Sequence, residues 1–340
     1  MNERARKKFF KREQKEPAAS ELAAGIMKGD KTILSRGITL IESNAQRHQE
    51  KTQEMLKLLL PHSGHAVRIG ITGVPGAGKS TFIEEFGSML CGRGFKTAVL
   101  AVDPSSTVNG GSILGDKTRM ESLSRHPDAF IRPSPSGGTL GGVHRKTRES
   151  MIACEAAGYD IILVETVGVG QSEVMVRSMV DFFMLLAITG AGDELQGMKK
   201  GIMELADAII VNKADGDNRP KAIKTMREYR QILHFLQPAT PGWETKTLAC
   251  SALTGDGIQE IWEMIEAFVN DTKASGIFDR RRSRQVKEWM LSMIKEKLEA
   301  SFFQAEEVKR LMPEMERQAT AGELTVPAAV DRLFQAFWEK

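Results

Sequence analysis

Residues 66–86 constrain this chain more than any other stretch. A short β-rich apolar run, "AVRIGIT", leads into "GVPGAGKST" and then into the helix-like "FIEEF". Gly73, Gly78, Lys79 and Ser80 satisfy the spacing G-x-x-x-x-G-K-[ST], a loop between strand and helix whose backbone N–H groups face phosphate oxygens. Gly76 and Gly78 let that backbone turn tightly, while Val74, Pro75, Ala77 and Thr81 complete the cradle. Lys79 is placed to reach the β- and γ-phosphates and the Ser80 hydroxyl to ligate Mg²⁺. The stretch does not fit the dinucleotide fingerprint. Thr81 stands where G-x-G-x-x-G starting at Gly76 needs its last glycine.

The rest of the chain supplies a setting for such a loop. From residue 67, short β-rich runs alternate with helical patterns: "AVRIGIT", "KTAVLAV", "AFIRP", "DIILVE", "FFMLLAI", "DAIIVN" and "TKTLACS". Strands that are apolar on both faces and separated by helices imply an α/β fold, a mostly parallel sheet covered by helices on both faces. Before it, Leu22, Ile26, Ile33, Leu34, Ile41, Met55, Leu56 and Leu59 recur at helical spacing, and "PHSGH" closes that segment. After about residue 272 the strands stop. Val286, Trp289, Met290, Met293, Ile294 and Leu298 form one helical stripe, and Val326, Val330, Leu333, Phe334, Phe337 and Trp338 another. The expected organisation is an N-terminal helical extension (1–66), a nucleotide-binding domain (67–272) and a C-terminal helical arm (273–340).

Composition narrows the setting. A chain of 340 residues has room for about two domains and a sizeable core. A formal net charge of +3 points neither to a nucleic-acid protein nor to a membrane-surface one. The longest greasy stretch, "MVDFFMLLAITG", is short and carries Asp181, so it does not read as a membrane span. Cys91, Cys154 and Cys250 are scattered, which suits reduced thiols in a cytoplasmic protein. The basic start "MNERARKKFFKREQKE" is interrupted by Glu3, Glu13 and Glu16 and reads as a solvated tail; those acids disfavour a targeting peptide.

A second motif reads the base. "IIVNKAD" places Asn212, Lys213 and Asp215 as N-K-x-D at the end of a strand. The Asp215 carboxylate can accept from N1–H and from the exocyclic amine of guanine, neither of which adenine offers. A site built for that pairing can reject the wrong base by roughly 10⁴-fold, because a buried carboxylate is left unpaired. "CSALTGDG" adds Ser251, Ala252 and Leu253, where a backbone N–H can meet guanine O6. The nucleotide is therefore expected to be GTP, with GDP as product.

Carboxylates for the metal follow. "LAVDPSS" and "DIILVETVGVGQSE" place Asp103 and Glu165 at strand carboxyl ends, and Gly168 can touch the γ-phosphate through its N–H. Asp116, in "GGSILGDKTRM", is a third candidate, although any of the three could instead cap a helix. Small GTPases follow the switch glycine with a water-orienting glutamine. Here Val169 follows Gly168, so hydrolysis should be slow until a partner completes the site, an effect worth about 10³–10⁵ in rate.

"AVDPSSTVNGGSILGDKTRM", "IILVETVGVGQSE" and "GAGDELQGMKKGIMELADAIIVNKADGDN" resemble the GTPase chaperones of adenosylcobalamin-dependent acyl-CoA mutases, the methylmalonyl-CoA mutase-associated family, over roughly residues 20 to 300. The resemblance implies phosphate binding by Gly73 to Thr81, guanine binding by Asp215 with Ser251 to Leu253, and Asp103, Asp116 and Glu165 around Mg²⁺. It also implies a homodimer through the C-terminal arm and a GTPase that protects the mutase and gates its cobalamin. Residues 188–200, with Asp193, Glu194, Gln196, Lys199 and Lys200, would be a switch relaying nucleotide state to the mutase. By themselves those residues read only as a Gly-rich loop before a helix. Other classes stay open: an energising ATPase or kinase for amino-acid transport, and a metal-insertion GTPase. N-K-x-D argues against the first. The second lacks a soft-ligand cluster, with His62 and His65 of "PHSGH" the nearest approach.

The base assignment has a direct consequence. Asp215→Asn should move preference from GTP to xanthosine triphosphate, because the amide donates to the xanthine 2-oxo group. Nucleotide competition measures this, and undiminished GTP affinity in the variant would remove Asp215 from the base site.

Overall fold

Runs that are apolar at every position can be buried on both faces only between two layers of helices. The computed structural model describes residues 17–102, 120–133, 140–166, 172–189 and 200–338. In it the seven β-rich runs form β1 (Val67–Gly73), β2 (Thr97–Val102), β3 (Ala129–Arg132), β4 (Ile161–Thr166), β5 (Phe182–Ala187), β6 (Ala208–Val211) and β7 (Lys246–Ala249). All pair in parallel, in the order β3-β2-β4-β1-β5-β6-β7. β1 lies between β4 and β5, so connections leave it toward both edges. The crevice outside its carboxyl end is where open sheets of this kind bind ligands. Every residue of β2, β4 and β5 is buried.

One sheet face is closed by α4 (Lys79–Gly92) and by α10 (Ile258–Ala274), the helix after β7. Phe82 and Phe86 of α4 stack at 5.4 Å, Trp262 sits 6.2 Å from Phe86, and Phe268 meets Phe182 edge-on at 4.9 Å. The opposite face is covered by α6 (Leu140–Ala156) and α7 (Ser172–Arg177), and beyond them by α1 (Ala19–Met27), α2 (Lys31–Glu42) and α3 (Gln46–Leu59). Leu22, Ile26, Leu34, Ile38, Ile41, Met55 and Leu59 share one cluster with Met151, Cys154, Ile162, Val164 and Phe183. The N-terminal helices are thus built into the same core as the sheet. Charged side chains fix their seating: Arg132 pairs with Glu42, Lys146 Nζ donates to Asn44 Oδ1 at 2.6 Å, and Lys31 Nζ donates to the Ala129 carbonyl at 2.6 Å.

The remaining helices of the first unit are short α5 (Glu121–Arg125), α8 (Lys200–Met203), which leads into β6, and α9 (Arg219–Leu233), which packs on β6 and β7. The chain divides between Asp271 and Thr272 into two compact units. The second contains α11 (Ile277–Gln304), α12 (Glu306–Thr320) and α13 (Val326–Trp338). Its core joins Ala305, Val308, Met315, Ala329 and Leu333, with Phe302 against Phe334 at 4.6 Å. The apolar stripe of α11 behaves differently from a core stripe: Val286, Met290, Ile294 and Leu298 are 46–61% exposed. Among the described residues, no helix is long and apolar enough to cross a membrane.

Glu149, on α6, makes the fold pH-sensitive. It is buried at the seam with α3, with Arg145 Nε at 3.9 Å. Burial pushes its carboxyl up to about 7 from an ordinary 4.5, against the opposing pull of Arg145, Lys146 and a hydrogen bond from Gln53. The folded state therefore binds this proton more tightly than the unfolded state. The associated stability is full below the ordinary value and is lost as pH rises through about 7. Glu149→Gln should flatten that dependence and make the protein more stable than the wild type at pH 8, by at most about 3 kcal/mol. Thermal or urea denaturation of both proteins between pH 5 and pH 8 measures the difference.

Candidate nucleotide-binding site

The phosphate loop begins where β1 ends. At Gly73 there is no room for a side chain, since a Cβ would lie 2.4 Å from the Leu186 carbonyl oxygen of β5. Gly78 has φ +83°, and a Cβ there would meet Asn212 Nδ2 at 2.8 Å. Between these points the chain turns and enters α4, anchored from behind by Phe82 and Phe86. Lys79 Nζ donates to the Gly73 carbonyl at 2.7 Å, so the lysine curls back over the loop it follows. Burial pulls its ammonium below the ordinary lysine range, and the carboxylates of Glu165 and Glu173 oppose that pull.

Glu165, the penultimate residue of β4, is buried beside this loop. Its Oε1 accepts from Ser80 Oγ at 3.5 Å. Directly next to it, Thr166 Oγ1 donates to Thr72 Oγ1 at 2.8 Å, a polar rung that locks the ends of β4 and β1 together. A hydroxyl and a carboxylate held this close form a hard-oxygen donor pair. That fits Mg²⁺, which takes few protein ligands and keeps waters and phosphate oxygens for the rest. Among the described residues, no three His, Cys, Asp or Glu side chains gather as a metal cluster, and His62 and His65 are exposed.

The segments that the sequence assigns to the base sit beside the loop after β1. Asn212 leaves the end of β6, donates from Nδ2 to the Ala77 carbonyl at 2.9 Å and accepts at Oδ1 from the Ala252 N–H at 3.0 Å. One amide thus straps the phosphate loop to the loop after β7, and that is the work the structure assigns to its side chain. Lys213 follows with φ +62°, the one non-glycine residue in the left-handed region among those described. Asn218 Nδ2 donates to its carbonyl at 2.6 Å, and the Ala214 N–H reaches the Cys250 carbonyl at 2.9 Å. The two loops then run side by side, and Asp215 Oδ2 accepts from Ser251 Oγ at 2.6 Å, which orients the carboxylate. Ala252 is buried, whereas Leu253 is 79% exposed and offers an open apolar platform. Cys250, buried beneath, has its thiol pushed up to about 12 and is chemically quiet.

The fold therefore gathers Gly73 to Thr81, Glu165, Asn212, Lys213, Asp215 and Ser251 to Leu253 at the carboxyl ends of β1, β4, β6 and β7. Asp103, Asp116, Gly168, Asp193, Glu194, Gln196 and Lys199 lie outside the described residues, and Lys200 opens α8. Sequence reasoning missed Glu173, which is 1% exposed. Its one signal is an acidic residue in a helix's first turn, which ordinarily means only a favourable dipole interaction.

The family model for methylmalonyl-CoA mutase-associated GTPases, MeaB, matches residues 34–307, from within α2 to the start of α12. GTPase ArgK of Escherichia coli K12 is 48% identical over 295 residues, 87% of this chain and 89% of that protein. The mouse protein named methylmalonic aciduria type A homolog, mitochondrial, is 45% identical over 326 residues, 93% of this chain and 79% of its own length. Among solved structures, that of LAO/AO transport system kinase aligns with a TM-score of 0.76 at 38% identity, over 94% of this chain and 98% of the other.

The Asn212 strap sets a stability expectation. Asn212→Ala strands the Ala77 carbonyl and the Ala252 N–H, each of which costs about 1–3 kcal/mol if left unpaired in the interior. The variant should lose about 2–4 kcal/mol in urea unfolding and bind nucleotide more weakly, since both loops lose their shared anchor. Unchanged unfolding would mean that the two loops hold their positions independently.

Proposed function

Because this chain belongs to the methylmalonyl-CoA mutase-associated GTPase family and hydrolyses GTP, we propose that it is the chaperone of an adenosylcobalamin-dependent acyl-CoA mutase, gating delivery of the cobalamin cofactor and protecting or reactivating the mutase. The observation that carries the guanine specificity is the Asp215 carboxylate, oriented by Ser251 beside the loop of Ala252 and Leu253. It accepts from N1–H and the exocyclic amine, a backbone N–H of the Ser251–Leu253 loop meets O6, and Lys213 and Leu253 flank the base.

At the other end, the loop N–H groups between Gly73 and Thr81 and the start of α4 hold the β- and γ-phosphates. Lys79 moves from the Gly73 carbonyl onto the phosphates and offsets charge as the bond to the γ-phosphoryl breaks. Ser80 and Glu165, joined by Asp103 and Asp116, would hold Mg²⁺, which would supply positive charge against that developing on the phosphates. Val169, in the position after Gly168, cannot polarise water, so turnover alone is slow and the mutase completes the site.

The family name and that of the mouse relative support a mutase as partner. Asp193, Glu194, Gln196, Lys199 and Lys200 relay nucleotide state to it. The exposed apolar stripe of α11, with exposed Val326, Val330, Phe334 and Trp338 on α13, supports a homodimer built through this arm. The name of the similar solved structure favours a second reading, a transport-energising kinase, which would require ATP where the N-K-x-D site favours GTP.

Steady-state GTP hydrolysis with and without cobalamin-dependent mutases tests the proposal. The cognate mutase should stimulate turnover. Replacing Lys199 and Lys200 together by alanine should keep GTP affinity nearly intact while reducing stimulated turnover by about 5-fold or more, the range of ordinary site-to-site coupling. If no cobalamin mutase stimulates the wild type, the partner assignment fails. Normal stimulation of the double variant removes only the relay.

A further inference from the structure

Glu173 stands in the first turn of α7, 1% exposed, and nothing in the phosphate, metal or base assignments uses it. An ionised carboxylate so deeply buried is costly unless charges or donors meet it. Its position in the fold follows from its neighbours. A Cβ on Gly70 of β1 would touch Val176 Cγ1 at 2.9 Å and Val180 Cγ2 at 3.0 Å, so this segment crosses the middle of β1. Glu173 precedes Val176 by three residues and shares its helix face. In a parallel β4–α7–β5 crossover the helix runs back against the strands, which puts Glu173 about 5 Å nearer the carboxyl end of β1. That is the level of Ile71 and Thr72, and a helical side chain leans toward its own N-terminus, so the carboxylate extends toward Gly73, whose carbonyl accepts from Lys79 Nζ. The electrostatics agree with the placement: among the described residues, the carboxylates of Glu165 and Glu173 oppose the effect of burial on the Lys79 ammonium.

We propose that Glu173 is a positioning residue for GTP hydrolysis, a buried counter-charge that keeps the Lys79 side chain aimed along the phosphate loop. The two carboxylates beside the lysine have different duties. Glu165 also meets Ser80 and belongs with the metal oxygens, so its charge is shared once the cation is bound. Glu173 lies behind the loop, on a helix the metal donors do not use, and its charge stays with the lysine through the cycle. Without it, Glu165 is the one anion left near the ammonium among the described residues, and the lysine is drawn toward the metal ligands, away from the line on which the β- and γ-phosphates need it.

This inference rests on the assignment of Lys79 to the phosphates, and a double-mutant cycle separates the two. GTP affinity and single-turnover hydrolysis are measured with Mg²⁺ for the wild type, Glu173→Gln, Glu173→Asp, Lys79→Ala and the Lys79→Ala/Glu173→Gln pair. Lys79→Ala should lower the rate by at least about 10²-fold. Glu173→Gln, which keeps shape and removes charge, should lower the rate by about 10-fold while GTP affinity changes by less than about threefold. Glu173→Asp should recover part of that loss. In the Lys79→Ala background Glu173→Gln should cost nothing further, because the residue through which it acts is gone. Equal losses in both backgrounds would show a structural role and overturn the proposal, as would full activity of Glu173→Gln. Should Glu173→Gln not fold, the same cycle built with Glu173→Asp decides. Near-normal turnover of Lys79→Ala would instead overturn the phosphate assignment itself.

Discussion

The geometry of the nucleotide site hangs on one amide. Asn212 carries a donor and an acceptor on the same planar group, and the structure uses both, one on the phosphate loop and one on the loop after β7. A hydroxyl is too short to bridge them, and a carboxylate would present two acceptors to a carbonyl and an N–H. The separation between the loop after β1 and the loop after β7 is thereby set inside the protein, before any ligand arrives. Gly78 belongs to the same constraint, since any side chain there would displace the Asn212 amide. Preorganisation of this kind lets binding energy fall on recognition and not on ordering loops.

Beneath the site, charged groups act as register pins. Asp207 is fully buried and accepts from the Phe183 N–H at 3.0 Å and from Arg177 Nη1 at 2.9 Å, tying the start of β6 to β5 and to the end of α7. Glu155 is likewise fully buried and paired with Arg68 of β1 at 2.9 Å, while Asp181 accepts from the Arg68 N–H at 2.9 Å. Buried pairs of this sort add little net stability over apolar packing, but breaking one strands a charge. Their value here is positional. β5 cannot slip against β1 or β6 without unpairing a buried carboxylate, while the Thr166–Thr72 hydrogen bond keeps the carboxyl ends of β4 and β1 level.

Much of this was legible in the sequence. The seven strands announce themselves because runs such as "IILVET" and "FFMLLA" are apolar at consecutive positions, which only a doubly covered strand tolerates. The phosphate loop and Asp215 with Ser251 are equally local, since each motif carries its chemistry within a few residues. The N-terminal helices were legible as helices, but not as part of the core, because a 3.6-residue period reports an apolar face without naming what covers it. The same limit applies to α11, whose stripe reads like a core stripe and stands open.

Local pattern, then, determined the elements and singled out the loop after β1 and the Asp215 carboxylate as candidates for phosphate and base. Only the tertiary structure decided which strands are neighbours, and with them everything that depends on distance between remote segments. Nothing in "VNKAD" says that its asparagine will meet Ala77, 135 residues earlier. Nothing in "GQSEV" says that the helix it opens will cross β1 at Gly70. The reason is physical: hydrogen bonds and burial are properties of a pair of surfaces, and a sequence motif describes one surface at a time.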